Sequence, residues 1–456
     1  MDNSPPAVQD PHDPGTRTRA LDREIFGLAL PTFATLVSEP LLLLADSAII
    51  GHLGTTELAG LGIAANVLGI LTGLCIFLAY GTTGTVARRL GAGNRQAALA
   101  GGLDGLLLAV GLGVVLCGAL ELTLPVVVGA YGASPEVSAA ATSYLRIAAF
   151  NLPSILLLLA GTGVLRGLQD TRTPLYVAIA TNLANIGLNF TFVYGLRLGI
   201  AGSALGTLVA QTAAALFVAV IVIRGARREH ALLRFRPGGI LAAARSGVWL
   251  VARTATLQAA ITLTTFVAAT GGAVALASHQ IVNSLWTLLA FALDAIAIAG
   301  QAIIGRALGA GQVRLGRAMT RRMVGWGVLC GVVFGVLVTV MRPLYVGLFT
   351  PDEDVQRLVG RTLLVVAVVT PIAGVVFVLD GVLIGAGDGR FLAYAAVFQS
   401  ALYAPAAVAI GVWGPDGKAG LVWLWVAFAG GWMIVRAVVL RRREKADLWL
   451  ITGAYR

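Results

Sequence analysis

The stretches "RRLGAGN" at residues 88–94 and "GRALGAGQ" at residues 305–312 share the tetrapeptide Leu-Gly-Ala-Gly at an offset of 218 positions. The same offset relates Pro125 to Pro343, Pro153 to Pro371, and "GVLRGLQDTR" at 163–172 to "GVLIGAGDGR" at 381–390, without gaps. Several matches at one offset, spread over about 150 residues, indicate an internal duplication. The chain is therefore predicted to consist of two related halves.

Each half contains six apolar runs that are long enough to cross a membrane. The chain has 456 residues, of which 57% are hydrophobic and only 12% are charged, and this composition lies far outside that of soluble globular proteins. A helix needs about 20 apolar residues to cross the hydrocarbon core, and the runs lack the alternation of barrel strands. Twelve spanning helices are predicted near residues 25–48, 58–81, 98–120, 143–165, 174–195, 200–223, 246–269, 274–299, 320–341, 362–384, 391–413 and 419–440.

The offset of 218 residues also predicts how the halves are related. It contains six spans, an even number, so the two halves cross the membrane in the same direction. We therefore predict an all-α polytopic membrane protein with twelve transmembrane helices, in which two parallel six-helix repeats flank a central cleft. The predicted boundaries are a disordered cytoplasmic tail (1–24), an N-lobe (25–223), a basic cytoplasmic linker (224–245), a C-lobe (246–440) and a cytoplasmic tail (441–456).

The net charge of +11 follows the predicted topology. With the N-terminus inside, 24 Lys and Arg residues fall in inner segments and 6 in outer loops, which is the positive-inside bias. We expect a multi-pass protein of the inner (plasma) membrane with both termini in the cytoplasm, no signal peptide and no nucleic-acid partner. The three cysteines, Cys75, Cys117 and Cys330, are isolated and predict no metal site.

Two acids lie within the first predicted span. Glu39 and Asp46 are seven residues apart, which places them on nearly the same face of a helix. An ionisable side chain costs about 2.5 to 3.5 kcal/mol at the centre of a membrane helix, so each is a functional candidate. Pro31 and Pro40 remove backbone hydrogen bonds from the same helix and favour bending. We predict Asp46, and with it Glu39, as ion-coupling residues.

The fifth and sixth spans supply polar neighbours for these acids. Asn182, Asn185 and Asn189 form one stripe on the fifth span, and Thr207 and Gln211 are spaced i, i+4 on the sixth. Such residues either hold helices together by hydrogen bonds or line a wet cavity. Because acids occur in the same half, we assign these residues to an N-lobe cavity, together with Pro31.

The second half carries a different polar set. The offset of 218 places Asp46 opposite Thr264, so the acids of the two halves were not duplicated and the halves are expected to differ in chemistry. For His279, the alternative to a proton relay is a simple hydrogen-bonding role near the membrane boundary. The predicted C-lobe cavity residues are His279, Asn283, Asp294, Gln301, Asp380, Gln399 and Tyr403.

Enzyme motifs are weak or absent in the sequence. The tetrapeptide "GAGD" at 385–388 matches an intramembrane aspartyl protease pattern, but four residues carry little information in a chain with 57 glycines. No GxxxxGK[ST] phosphate loop and no HExxH pattern occur. We therefore predict a transporter rather than an enzyme, without cofactor or metal, driven by an ion gradient.

Several motifs together resemble one transporter family. "LALP" at 28–31 precedes "LADSAIIGHLG" at 44–54, and "RRLGAGN", "GVLRGLQDTRTP" and "FVYGLRLGIAGSALGTLVAQ" follow in order. This arrangement, over residues 25–440, resembles the multidrug and toxic compound extrusion (MATE) family. "EPLLLLADSAIIGHLG" and "FVLDGVLIGAGD" are similar to its DNA-damage-inducible protein F branch.

The resemblance implies a function and a set of site residues. Members of this family export cationic or amphipathic compounds in exchange for protons or sodium ions, and they alternate between outward-open and inward-open V shapes. The family's first-helix aspartate corresponds to Asp46, its helix-bending proline to Pro31, its fifth-helix asparagine to Asn185 and its sixth-helix threonine to Thr207. Some members carry a second acid where this chain has Asn189.

On this basis the sequence predicts a secondary antiporter that exports small cationic or amphipathic molecules in exchange for protons. It is expected to act as a monomer in the lipid bilayer. Protonation of Asp46 would reorganise the hydrogen bonds to Asn185 and Thr207 and bend the first helix at Pro31, because removal from water penalises a charged carboxylate. Three alternatives stay open at this point: sodium-coupled antiport, a lipid-linked precursor flippase of the same superfamily, and, from a different class, an intramembrane protease or a receptor.

Overall fold

The protein is an all-helical bundle in a computed structural model that describes residues 14–231, 237–414 and 418–454. Eleven helices of these described residues are long and apolar enough to cross a membrane. Two shorter helices, bent by 52° against each other, form a further candidate span. The predicted all-α class and the twelve predicted spans are therefore confirmed.

Helices α1 to α8 form the first half. The second span consists of α2 and α3, and the fourth span consists of the bent pair α5 and α6. Helix α7 continues into a π-helical turn, Thr191–Gly195. The bounds are α1 Pro14–Gly51, α2 Thr55–Leu74, α3 Phe77–Gly91, α4 Arg95–Gly129, α5 Pro135–Ala149, α6 Leu152–Gly167, α7 Arg172–Phe190 and α8 Gly199–Arg228.

Helices α9 to α15 form the second half. Its last span consists of α14, a π-helical segment (Val426–Trp432) and α15. The bounds are α9 Pro237–Thr270, α10 Ala273–Gly309, α11 Val313–Phe349, α12 Glu353–Gly385, α13 Gly389–Trp413, α14 Lys418–Trp425 and α15 Met433–Lys445.

The predicted N-terminal tail is shorter than expected. Residues 1–13 lie outside the described part, but α1 already begins at Pro14, so residues 14–24 are helical rather than disordered. This first part of α1 is held by a contact with the second half, because the Asp22 carboxylate accepts hydrogen bonds from Arg322 at 2.6 Å and from the Trp326 ring nitrogen at 2.7 Å.

The predicted linker is also shorter. Helix α8 continues to Arg228 and α9 begins at Pro237, where a proline at the first position of a helix loses no hydrogen bond. Of the linker predicted over 224–245, only residues 229–236 separate the two helices, and 232–236 lie outside the described residues. The ends of the linker could not be predicted, because helical turns that extend beyond the apolar core have the same polar composition as a loop.

The duplicated tetrapeptides meet at one end of the bundle. A Cβ atom added to Gly91 would overlap the carbonyl group of Arg306, and one added to Gly309 would overlap the carbonyl group of Arg88. Arg88 and Arg306 are related by the offset of 218, as are Gly91 and Gly309. The two contacts are therefore pseudo-symmetric, and only glycine permits such an approach of backbones. We call this arginine-rich end of the bundle the basic end.

The hydrophobic cores show where the halves are joined. One core contains most of the second half together with first-half residues such as Ile25, Val86 and Val164, which lie toward the basic end. At the opposite end, a separate core is built from first-half residues alone, among them Ile50 and Leu124. The two halves are thus packed together at the basic end and have independent packing at the opposite end.

Candidate functional site

Helix α1 carries the first candidate residues and is continuous through both of its prolines. Pro31 lacks the N–H group that would bond the carbonyl oxygen of Gly27. The hydroxyl group of Thr171, in the loop before α7, donates to that oxygen at 3.5 Å. The carbonyl group of Gly27, which Pro31 leaves without its helical partner, is therefore linked to the segment before α7. This contact couples α1 to α7 at the position where α1 bends most easily.

Asp46 lies on α1 toward the end opposite the basic end, and only 4% of its surface is exposed. Its Oδ1 atom accepts a hydrogen bond from the Asn189 side-chain nitrogen at 2.6 Å. The same nitrogen also lies 3.0 Å from the Asn185 Oδ1 atom and 3.3 Å from the Ser203 hydroxyl. No cationic side chain pairs with Asp46 among residues 14–231, 237–414 and 418–454. Every hydrogen-bond partner of this buried carboxylate is neutral.

A second layer of hydrogen bonds extends this cluster to α8. The Asn185 side-chain nitrogen donates to the Thr207 hydroxyl at 2.8 Å, and the buried Tyr144 ring lies beside Asp46 and Thr207. The structure therefore brings together Asp46, Asn185, Asn189 and Thr207, four of the residues predicted for the first-half site. We call these four residues and Ser203 the Asp46 cluster.

Other predicted first-half residues lie outside this cluster. Glu39 is exposed in this conformation, and none of the hydrogen bonds of the Asp46 cluster involves it. Asn182 donates to the Ser38 carbonyl oxygen at 2.8 Å and thereby ties α7 to α1. Gln211 accepts from Asn151 at 2.6 Å, at the bend between α5 and α6. In this conformation the polar stripe on α7 thus joins helices by hydrogen bonds, which is the first of the two roles that the sequence left open.

The second acidic site has entirely different partners. Asp380 on α12 accepts hydrogen bonds from Arg253 of α9 at 2.7 Å and from Arg436 of α15 at 2.5 Å. All three side chains are largely buried. A carboxylate held by two guanidinium groups is stabilised in its charged form. Asp380 is therefore part of a packed ionic contact rather than the lining of an open cavity.

Asp294 lies where the two halves meet. Its Oδ2 atom accepts a hydrogen bond from the Tyr80 hydroxyl of α3 at 3.2 Å, and the guanidinium groups of Arg166 and Arg253 lie close enough to interact with its charge. Tyr80 and Arg166 belong to the first half, whereas Asp294 and Arg253 belong to the second. We call these groups, with Asp380 and Arg436, the junction network.

The remaining predicted second-half residues lie in the interior. His279 is buried against Trp425 and within 3.0 Å of the Thr265 hydroxyl, and Tyr403 shares a hydrogen bond of 2.6 Å with Thr264. Gln301 and Gln399 are also buried, whereas Asn283 is half-buried. In this conformation these side chains, apart from Asn283, are packed within the second half.

Several residues of both sites are not evident in the sequence. Arg166 falls in a segment predicted to be an inner loop, yet it is buried at the end of α6, and Arg436 is buried on α15. The π-helical segment also contributes Phe428 and Trp432 to an aromatic cluster. The other members of this cluster are Trp286, Tyr403 and Trp425. The spacing of Trp425, Phe428 and Trp432 at i, i+3 and i+7 indicates their common face.

The two acidic sites differ in what they can do chemically. Protonation of Asp46 would replace a charged acceptor by a neutral group among neutral partners, whereas protonation of Asp380 would leave two buried cations without a counter-charge. No group of three or more His, Cys, Asp or Glu residues with the geometry of a metal site occurs among the described residues. The Asp46 cluster is therefore the candidate functional site, and the junction network is its structural counterpart.

Known proteins resemble this chain over most of its length. The MatE family profile matches residues 31–191 and 253–408. "Protein DETOXIFICATION 44, chloroplastic" of Arabidopsis thaliana is 29% identical over 423 residues, covering 88% of this chain and 80% of the relative. "DNA damage-inducible protein F" of Escherichia coli (strain K12) is 31% identical over 382 residues, covering 80% and 81%.

The fold is also found among solved structures. One of them, described as the outward-facing conformation of a multidrug resistance MATE family transporter of the MOP superfamily, has a TM-score of 0.83. It is 22% identical to this chain and is matched over 93% of this chain and 96% of its own. At this identity the likeness concerns the fold, and it agrees with the two-lobe arrangement described above.

Proposed function

The chain belongs to the MatE family of secondary transporters, and from this premise we propose that it exports amphipathic or cationic small molecules in exchange for protons. It is a membrane transporter and not an enzyme, as predicted from the sequence. Our proposal concerns the coupling ion, the substrate class and the direction of transport. The description of a structural relative as a multidrug resistance transporter supports the substrate class.

The observation that carries the proposal is the neutral surrounding of Asp46. Its carboxylate is buried and accepts a hydrogen bond from the Asn189 amide without a cationic partner among the described residues. Uptake of one proton would remove the negative charge and change the acceptor of this bond into a potential donor. Asn189 and Asn185 would then rearrange, and α1 would move at Pro31, where its backbone hydrogen bonding is already interrupted.

Coupling follows from different proton affinities in two conformations. An ion drives a conformational change only when it binds one conformation more tightly than the other. In our proposal, charged Asp46 favours the substrate-loaded state, and proton binding from outside favours substrate release. Glu39 is assigned no direct part in this step, because it has no hydrogen bond to the Asp46 cluster.

Sodium coupling is the main alternative to proton coupling. A sodium site needs several oxygen ligands around the acid, whereas in this conformation the Asn189 side-chain nitrogen donates to the Asp46 carboxylate at 2.6 Å. Transport under a pH gradient without sodium separates the two coupling ions.

The packing of the halves supports an outward-facing state. The halves share a core at the basic end and have separate packing at the opposite end. If the basic end lies in the cytoplasm, as the positive-inside bias indicates, the opening between the halves faces outward. We retain the inner (plasma) membrane, cytoplasmic termini and a monomer as parts of the proposal.

Proteoliposomes provide the test of this function. Purified protein is reconstituted, a lipophilic cation such as tetraphenylphosphonium is supplied, and its movement is driven by a pH gradient in sodium-free buffer. We expect Asp46→Asn to reduce coupled transport at least tenfold, since the variant mimics a permanently protonated carboxylate. Glu39→Gln, an equivalent change on the same helix, should retain most of the activity.

Two outcomes would overturn the proposal. If Asp46→Asn concentrates the cation against its gradient as well as the wild type does, Asp46 is not the coupling residue. If transport by the wild type requires sodium and ignores the pH gradient, the coupling ion has been assigned incorrectly.

A further inference from the structure

The basic end is closed by more than the pseudo-symmetric glycine contacts. Arg88, at the end of α3 in the first half, is 4% exposed, and its guanidinium group reaches across to the second half. It donates to the backbone carbonyl oxygens of Ala386 at 2.8 Å, Ile451 at 2.6 Å and Gly453 at 3.2 Å. Two of these acceptors belong to residues 446–454, which follow α15 and which we call the C-terminal strap.

The C-terminal strap is a folded part of the second half. Trp449 is 1% exposed, and its ring nitrogen donates to the Glu444 carbonyl oxygen at 2.9 Å. Asp447 pairs with Arg317 of α11 at 2.6 Å, and the Gly453 N–H group donates to the Leu308 carbonyl oxygen at 3.1 Å. The carbonyl groups that bind Arg88 are therefore held in position by the second half.

The internal duplication shows that this contact is an addition. Arg306, the counterpart of Arg88, reaches across in the opposite direction to the Gln169 side chain, and Ala386 lies next to the counterpart of Gln169. Both halves thus place an arginine against a loop of the other. Among the described residues, Arg88 is also bound by a terminal segment and Arg306 is not, so the interface is asymmetric at this point.

The chemistry of the contact suits a closure that later opens. Carbonyl oxygens bind a guanidinium group through charge-assisted hydrogen bonds, and water can replace these bonds when the interface separates. The ion pair that also crosses this end, between Asp22 and Arg322, is partly exposed and is screened by salt. A cavity of about 240 Å³ lies between the halves, lined by Tyr80, Arg88 and Ala454 among others.

We propose that Arg88 and the C-terminal strap form a latch that holds the basic end closed and that must separate when the transporter turns to its other open state. The inference rests on the proposed alternating access but not on its coupling ion. Release of the latch would widen the cavity that reaches Tyr80 and thus extend it toward the junction network. The strap would thereby set how often the basic end opens.

Distances between spin labels across the basic end test this latch. Gln96→Cys and Arg314→Cys place labels on exposed, pseudo-symmetric positions of the two halves, in a background with Cys75, Cys117 and Cys330 replaced by alanine. Arg88→Gln removes the donor. A stop after Leu450 removes the Ile451 and Gly453 acceptors but keeps the buried Trp449, which preserves the fold of the remaining strap.

We expect the wild type to show mainly the short distance at neutral pH. Both changes should increase the population of the long distance at least about twofold, as expected when contacts specific to one state are lost. Arg95→Gln is the control, because Arg95 is exposed and pairs with Glu229 within its own half at 3.0 Å, and it should leave the distances unchanged. Arg88→Gln should have a smaller effect in the shortened chain than in the full chain, since both changes remove the same bonds.

Unchanged distances in both variants would overturn the latch. So would an Arg88→Gln effect of equal size in the full and shortened chains, because the strap would then contribute nothing. Arg88→Lys, which keeps the charge but loses the planar fork, should fall between the wild type and Arg88→Gln. The distances require neither substrate nor proton gradient, so failure of proton coupling in liposomes would leave this result intact.

Discussion

The Asp46 cluster and the junction network both bury carboxylates, but their partners differ in charge. Asp46 is bound by the neutral amide of Asn189, whereas Asp380 is held by the guanidinium groups of Arg253 and Arg436. A buried charge among neutral partners is removed by a single proton, while a charge between two cations is retained. Burial alone therefore does not make an acid a proton-binding site, because the partners decide whether its charge can change.

The largest effect on stability is expected at Asp380. Asp380→Asn leaves two buried guanidinium groups without their shared counter-charge, which should lower the free energy of unfolding by about 3 to 5 kcal/mol. Asp46→Asn keeps the shape of the side chain among neutral partners and should cost less than about 1 kcal/mol. Unfolding in mixed micelles with an increasing fraction of SDS compares the two variants. Equal losses would remove the distinction between the sites.

A smaller effect is expected at Asn189. Asn189→Ala removes the donor to the buried Asp46 carboxylate and should lower the free energy of unfolding by about 1 to 3 kcal/mol. Asn182→Ala is the control on the same helix, since Asn182 donates to a backbone carbonyl that can retain its helical hydrogen bond. The same unfolding assay measures both. A greater loss for Asn182→Ala would show that the amide next to Asp46 is not important for its burial.

The smallest effects are expected from single hydroxyl groups in the two sites. Tyr80→Phe removes the hydrogen bond to Asp294, and Thr207→Val removes the acceptor of Asn185. Each should lower the free energy of unfolding by about 1 kcal/mol. Only Thr207→Val should change the pH dependence of transport, because only Thr207 belongs to the Asp46 cluster. A changed pH profile for Tyr80→Phe instead would move the proton-coupled step to the junction network.

Much of the architecture can be predicted from the sequence for a physical reason. Lipid requires long apolar helices, so the spans are visible in composition, and the repeated Leu-Gly-Ala-Gly at 90–93 and 308–311 identifies the halves. The stripe of Asn185 and Asn189 on one helix face, opposite an acid on another span, also predicts their proximity to Asp46. The spacing of residues along the chain is therefore sufficient to predict neighbours where a single helix fixes their geometry.

The junction network could not be predicted in this way. Asp380 is 127 positions from Arg253 and 56 from Arg436, and no local pattern reports a contact over such separations. The sequence places Arg166 in an inner loop, because it directly follows the span predicted over 143–165 and resembles the positive charges that set the topology. The burial of Arg166 depends on how α6 packs against α3 and α10, which only the tertiary structure reveals.

Proton release on substrate binding tests the central role of Asp46 most directly. Purified protein in weakly buffered detergent solution is saturated with tetraphenylphosphonium, and the change in proton concentration is measured. If substrate and proton compete through Asp46, the wild type should release up to about one proton per bound cation, while Asp46→Asn should bind the cation without releasing any, since linkage between two ligands is reciprocal. Equal proton release by the wild type and by Asp46→Asn would contradict the account.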